Sequence, residues 1–315
     1  MASDSAARLE ALIKKIQPRF RLRFLKMVRD LENHWSLREL ERILELNRPE
    51  DIIHTVEQMS RKMSQEWGTS YRVAGAEAAD VISEGIRVIV SFDEMNSRAV
   101  RIMQENQLRM VREFTNSQRL SVREAMAEAV RRGLNPRDAA RMFRDSIGLT
   151  QRQMQAVNNY RRLLEQNSSA ALTRQLRDRR FDRTVARATR TGEPLTRAQI
   201  DRMVARYRER YIKYRAETIA RTESLRAAHA GTHEMYQQAV DDGTLRADRV
   251  TQTWVTAADE RVRGSHASMH GQLQPLGQPF VSGAGFNLLY PGDPNAPASE
   301  TVQCRCVVTT RFFGE

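Results

Sequence analysis

Apolar residues recur at three- and four-residue spacing through the first 220 positions, as expected for a series of α-helices with one buried face each. Leu9, Leu12, Ile13 and Ile16 mark such a face near the start, and Val100, Met103, Leu108, Met110, Val111 and Phe114 mark another. Boundary residues agree with the periodicity. Asn135-Pro136 sets a capping side chain before a proline at the first helical position, and Gly148 can close that short helix. Thr150 with Gln153 forms a capping box for a helix running to about Asn167. A further helix is expected over about Ser169 to Arg190, stopped by Gly192. Thr196 with Gln199 caps a long one over about 197–240, roughly 65 Å at 1.5 Å per residue. Its predicted apolar stripe is Ile200, Met203, Val204, Tyr207, Tyr211, Tyr214 and Thr218, and left uncovered that stripe would favour a homo-oligomer. Arg19 to Phe24 alternates basic and apolar residues, which suits an anionic surface or, more simply, a solvated helix edge.

The pattern changes after Gly243. Nine of fifteen glycines and five of nine prolines fall within 221–315. Val250 to Thr256 and Val307 to Phe313 are rich in β-branched residues and read as strands. A short helix over Gly264 to His270 and Pro/Gly-rich loops separate them. The expected fold class is α+β: mainly long α-helices over about residues 1–242, then a small α+β C-terminal domain. The helical part divides into an N-terminal region, 1–150, and a basic long-helix region, 151–242, leaving 243–315 as the C-terminal unit.

Composition narrows the class. With 40% hydrophobic and 29% charged residues among 315, the chain can build a core and is not a disordered polyelectrolyte. Charges interrupt every apolar run before the length of a membrane span, and Met1 to Glu10 lacks the apolar stretch of a secretory signal. Two cysteines, Cys304 and Cys306, cannot staple distant segments, which excludes a disulfide scaffold.

Charge points to a partner. Lysine and arginine number 51 against 39 acidic residues, a net +12. Residues 151–220 carry 17 basic and 7 acidic groups, so this short stretch holds most of the excess. Only five basic residues are lysines, and the arginine fork grips phosphate bidentately. Arg161, Arg162, Arg174, Arg177, Arg179, Arg180, Arg183, Arg187 and Arg190 are the candidate contacts to double-stranded DNA, placed on two successive helices and expected to bind without sequence preference. The competing accounts are a GC-rich codon bias, a solvated face paired with Asp178, Asp182 and Glu165, or docking on an acidic protein.

The densest set of chemically active side chains lies in the C-terminal unit. His266 and His270 are four apart, and Cys304-Arg305-Cys306 offers two soft ligands. Together they have the composition of one structural zinc site, although Cys-x-Cys is tighter than zinc-finger spacing; two buried thiols with two surface histidines are the plain alternative. His233-Glu234 lacks the second histidine of a zinc protease, and Asp259-Glu260 beside His266 reads better as turn residues than as an acid–base pair. Phosphate-loop, dinucleotide and nucleophile-elbow motifs are absent, so no catalytic residues are expected.

Ala220-Arg221-Thr222-Glu223, Trp254, Thr256, Asp259, Arg261-Val262-Arg263, His266, Gly271, Phe280, Tyr290-Pro291-Gly292-Asp293 and Cys304-Arg305-Cys306, in this order over about 217–308, resemble the phage Mu F-like head morphogenesis family of tailed bacteriophages. The resemblance implies a minor head protein present in few copies in the virion, inside the head near the portal vertex and in the host cytoplasm during assembly. Its implied partners are the portal protein, the capsid interior and genomic DNA, and its implied roles are head assembly, packaging and DNA delivery. His266, Cys304 and Cys306 match the family motif. His270 does not, so a shared zinc would take its fourth ligand from Asp259 or from water. Gln303 stands where the family often has Asn. The family domain has also been likened to ADP-ribosyltransferases, which would put Arg221, Thr222 and Glu223 in a nucleotide site; a helical setting keeps Arg221 and Glu223 from facing each other. A non-phage DNA-binding helical interaction protein is the third reading.

Overall fold

The computed structural model describes residues 2–46, 48 and 50–312, and Phe313, the expected last residue of the final strand, lies outside them. Among the described residues ten α-helices precede or interleave with five strands: α1 Ala2–His34, α2 Leu37–Glu45, α3 Glu50–Ile86, α4 Ser97–Arg131, α5 Pro136–Ser146, α6 Gln151–Glu165, α7 Asp182–Thr191, α8 Arg197–Asp241, β1 Val250–Val255, α9 Gly264–Ala267, β2 Leu273–Pro275, β3 Phe280–Val281, β4 Asn287–Leu288, α10 Ala298–Thr301 and β5 Val307–Phe312. The fold is α+β and dominated by helix.

The caps form as the sequence directs. Asn135 accepts from Asp138 N, with Pro136 opening α5. Thr150 and Gln153 close a reciprocal box at the start of α6, and Thr196 and Gln199 do the same for α8. Gly192 ends α7 in the left-handed region at φ 74°.

The chain forms two compact units. One comprises residues 24–61 and 111–216. Its core includes Phe24, Phe114, Phe143, Tyr160 and Tyr207, with the Tyr160 and Tyr207 rings 4.3 Å apart. The α8 stripe departs from expectation here. Tyr214 is exposed, and the buried positions shift to Ile212, Arg215 and Ala216. The Arg215 guanidinium lies over the Phe24 and Phe114 rings and donates to Gly148 O and Ser117 Oγ. A periodicity count that scores arginine as polar misses that turn of the stripe.

The other unit comprises residues 1–23, 62–110 and 217–315. Within it α3 and α8 pack closely, Ala78, Ala79 and Ile82 against Met235, Tyr236 and Ala239. Arg19 and Arg23 pair with the buried Glu66, and Phe20 is fully buried, so this stretch of α1 is an ordinary helix with one face inward. β1 lies between β2 and β5 in an antiparallel sheet, with Thr253 opposite both Leu273 and Thr309, and β3 pairs with β4. Beside the sheet a second core gathers Leu225, Trp254, Met269, Phe280, Leu288, Cys304 and Cys306. No described helix is long and apolar enough to cross a membrane.

Candidate metal centre

His266 sits on α9, a single turn that opens after Arg263 and stops at Ala267. The predicted helix to His270 ends early because the chain turns back to let Gly271 N reach Trp254 O at 2.8 Å. Trp254 packs edge-on against the His266 ring at 5.3 Å, which fixes the ring plane. Cys304 and Cys306 flank Arg305 just before β5. The turn that presents them is held by Gln303, whose N–H donates to Thr222 Oγ1 and whose amide donates to Thr218 Oγ1. Gln303 adopts φ 61°, a left-handed conformation in which Asn is the best-tolerated non-glycine residue.

These elements bring His266, Cys304 and Cys306 into one buried group that could hold a metal ion. His266 Nδ1 lies 3.5 Å from each Sγ. A tetrahedral zinc with ordinary Zn–S and Zn–N bonds has an N···S edge of about 3.6 Å, so the spacing fits the ion as well as it fits thiol–imidazole contacts. The other ring nitrogen, Nε2, lies 3.0 Å from Glu300 Oε2, at ion-pair distance but off the line of a good hydrogen bond. Glu300 is buried, and Ser265 Oγ donates to both its oxygens. The contact with Cys306, reinforced by His266, draws the Cys304 thiol well below its ordinary value, and the same contact together with burial pushes Cys306 up.

Neither sequence-proposed fourth ligand joins the group. His270 Nδ1 accepts from Thr256 N at 3.1 Å on the far side of the turn. Asp259 is exposed and held by Arg305 through both oxygens, which keeps its carboxyl down at about 2. Glu300 had no signal in the sequence. It lies on the one-turn helix α10, after a Pro-rich stretch and with no ligand-like spacing to His266, and only its burial reveals it.

The nine arginines are spread over less regular structure than expected. In place of one helix over 169–190, the chain makes 3-10 turns at Ser169–Thr173 and Arg179–Phe181 before α7. Asp178 and Ser168 capture backbone N–H groups at these turns, competing with the helix. Arg161, Arg177 and Arg180 pair with Asp201, Asp182 and Asp178, and Arg162 donates to Asn159. Glu165 pairs with Arg132 instead. Arg174, Arg179, Arg183, Arg187 and Arg190 are exposed, and among the described residues none has a carboxylate at ion-pair distance. Arg183, Arg187 and Arg190 follow one face of α7, opposite the buried Val185 and Ala188.

The motif at the start of the resemblance is buried in α8. Glu223 is gripped by Arg109 and Arg226 at 2.8 Å each, and Arg226 also donates to Gly292 O. Residues 171–309, which span this motif, the metal group and α7, match the family model described as Phage Mu protein F like protein. This segment is similar to that family. The match leaves residues 1–170 outside it. No curated protein and no solved structure matches the chain.

Proposed function

We propose that the chain is a minor head protein of a tailed bacteriophage, structural rather than catalytic, acting inside the head near the portal in assembly, packaging or delivery of DNA. The match of residues 171–309 to the Mu F-like family carries this reading, because that family ties the segment to phage heads. The exposed arginine stripe of α7 supports contact with genomic DNA, since closely spaced guanidinium groups displace counterions from a phosphate backbone. The engagement of Glu223 by two arginines supports the structural side: its charge is already neutralised inside the fold. A zinc on His266, Cys304 and Cys306 would tie α9 to the turn before β5 and stabilise a unit with short strands.

Mass spectrometry of purified DNA-filled heads of the phage that encodes the chain tests the proposal. The expected result is the intact protein at a few copies per major-capsid shell. Its absence from heads at every assembly stage would sink the reading.

A further inference from the structure

The metal group offers three protein donors, and its fourth side faces a cleft. That cleft opens to solvent and is lined by Ala257, Arg261, Val262, Arg263, Gln303 and Arg305 beside the ligands themselves. From the arrangement we infer that the zinc keeps an open fourth position that takes an exogenous phosphate oxygen, from inorganic phosphate or a phosphodiester. The inference rests on the zinc reading above.

The described residues bring no fourth His, Cys, Asp or Glu into the group. Gln303 lines the cleft wall, with its amide nitrogen donating to Thr218 Oγ1 at 2.7 Å. Asp259 is committed to Arg305. Three protein ligands with an open position is the arrangement of zinc sites that exchange a small ligand, whereas closed structural sites present four.

Charge selects the ligand class. Two thiolates cancel the zinc dication, and three arginines line the cleft against two carboxylates, Asp259 on Arg305 and Glu300 behind His266. Arg263 is fixed by donation to Ser299 O and Val302 O, and Arg261 is exposed at the mouth. A fixed guanidinium and an exposed one beside a Lewis-acidic ion favour an oxyanion over a neutral ligand.

Cobalt(II) in place of zinc on the full chain tests this. Thiolate-to-cobalt charge-transfer bands report the ion in the group, and the d–d bands report the fourth ligand. Titration with inorganic phosphate should shift the d–d bands saturably, and Arg261→Ala should raise the midpoint roughly tenfold while leaving the charge-transfer bands unchanged. A parallel titration with a short single-stranded oligonucleotide separates the sources: a shift with it assigns a phosphodiester, and a shift with phosphate alone assigns the free ion. Charge-transfer bands with d–d bands insensitive to both anions would overturn the inference and leave the zinc reading standing. Absence of the charge-transfer bands would overturn both.

Discussion

Glu300 Oε2 stands 3.0 Å from His266 Nε2, on the side of the imidazole opposite the two thiols. With a metal on Nδ1, a small turn of the ring would bring the Nε2 proton into line with this carboxylate, which would hold the tautomer and strengthen Nδ1 as a ligand. The neutral alternative, a buried carboxylate beside an imidazole with no ion to orient, would leave Glu300 and His266 paired for packing alone. Metal affinity separates the two. Full-length protein purified without chelator should carry one zinc, and His266→Ala or Cys304→Ser should abolish it. Glu300→Gln should retain the site but weaken zinc by about 10–100-fold, read by competition with a chromophoric chelator.

Chelation should also cost stability, because zinc binds the folded unit and scarcely the unfolded chain. A thermal melt with excess chelator should fall below the zinc-loaded one, while Cys304→Ser protein should melt alike with and without chelator. Equal melts for the native chain in both conditions would remove zinc from the fold.

Much of the helical scaffold was legible because capping is a local code. Asn135-Pro136, Thr150/Gln153 and Thr196/Gln199 each announce a helix start within four residues, and each cap forms. The Ser169–Arg190 stretch misled for the same kind of reason. Arginine spacing there imitates a helix face, while Ser168 and Asp178 divert the backbone into 3-10 turns. His266, Cys304 and Cys306 were recognisable as ligand types, and the fold brings all three together. Glu300 was not recognisable, since a lone carboxylate on a one-turn helix looks the same in sequence whether it is solvated or buried. Nor were Arg98–Glu234 and Arg109–Glu223, pairs formed between residues more than a hundred positions apart.

Two histidines on α8 set an acid limit. Burial pushes His229 down to about 3 and His233 down to about 4, each aided by a nearby positive group. In the unfolded chain both titrate near 6.5, so between roughly pH 6.5 and 4 the unfolded state binds more protons. Stability is therefore fully present above the unfolded value and is lost as pH falls through that window. Urea unfolding midpoints at pH 7.5, 6 and 5 should decline in that order. His233→Phe should flatten part of the decline, and an unchanged slope would show that His233 does not carry it.

Gly231 fixes how closely α3 and α8 approach. A Cβ there would stand 2.2 Å from Tyr71 O and 3.0 Å from Gly75 N, atoms of the facing backbone that no side-chain rotation can move. Gly231→Ala should lower stability by about 1–3 kcal/mol through forced separation of the helices. Gly264→Ala, at the start of α9, meets nothing within 4 Å and has no left-handed backbone, so it should change stability little. Comparable losses for the two would mean that helix approach is not what limits residue 231.

The α7 stripe gives the proposed DNA contact its sharpest test, because paired and unpaired arginines lie side by side in the chain. Arg183, Arg187 and Arg190 are exposed on one face, whereas Arg177 is clamped by Asp182 through two bonds of 2.9 Å. If the stripe meets phosphates, each Arg→Gln change there should weaken duplex binding alike for all sequences and reduce the salt slope by about one contact. Arg177→Gln should leave the slope unchanged, since its charge is already spent on a carboxylate. A steep slope in the native chain that survives the Arg183/Arg187/Arg190 triple change would move the contact to another surface. A native chain that fails to bind at physiological salt would leave the stripe facing protein, most simply an acidic capsid or portal surface.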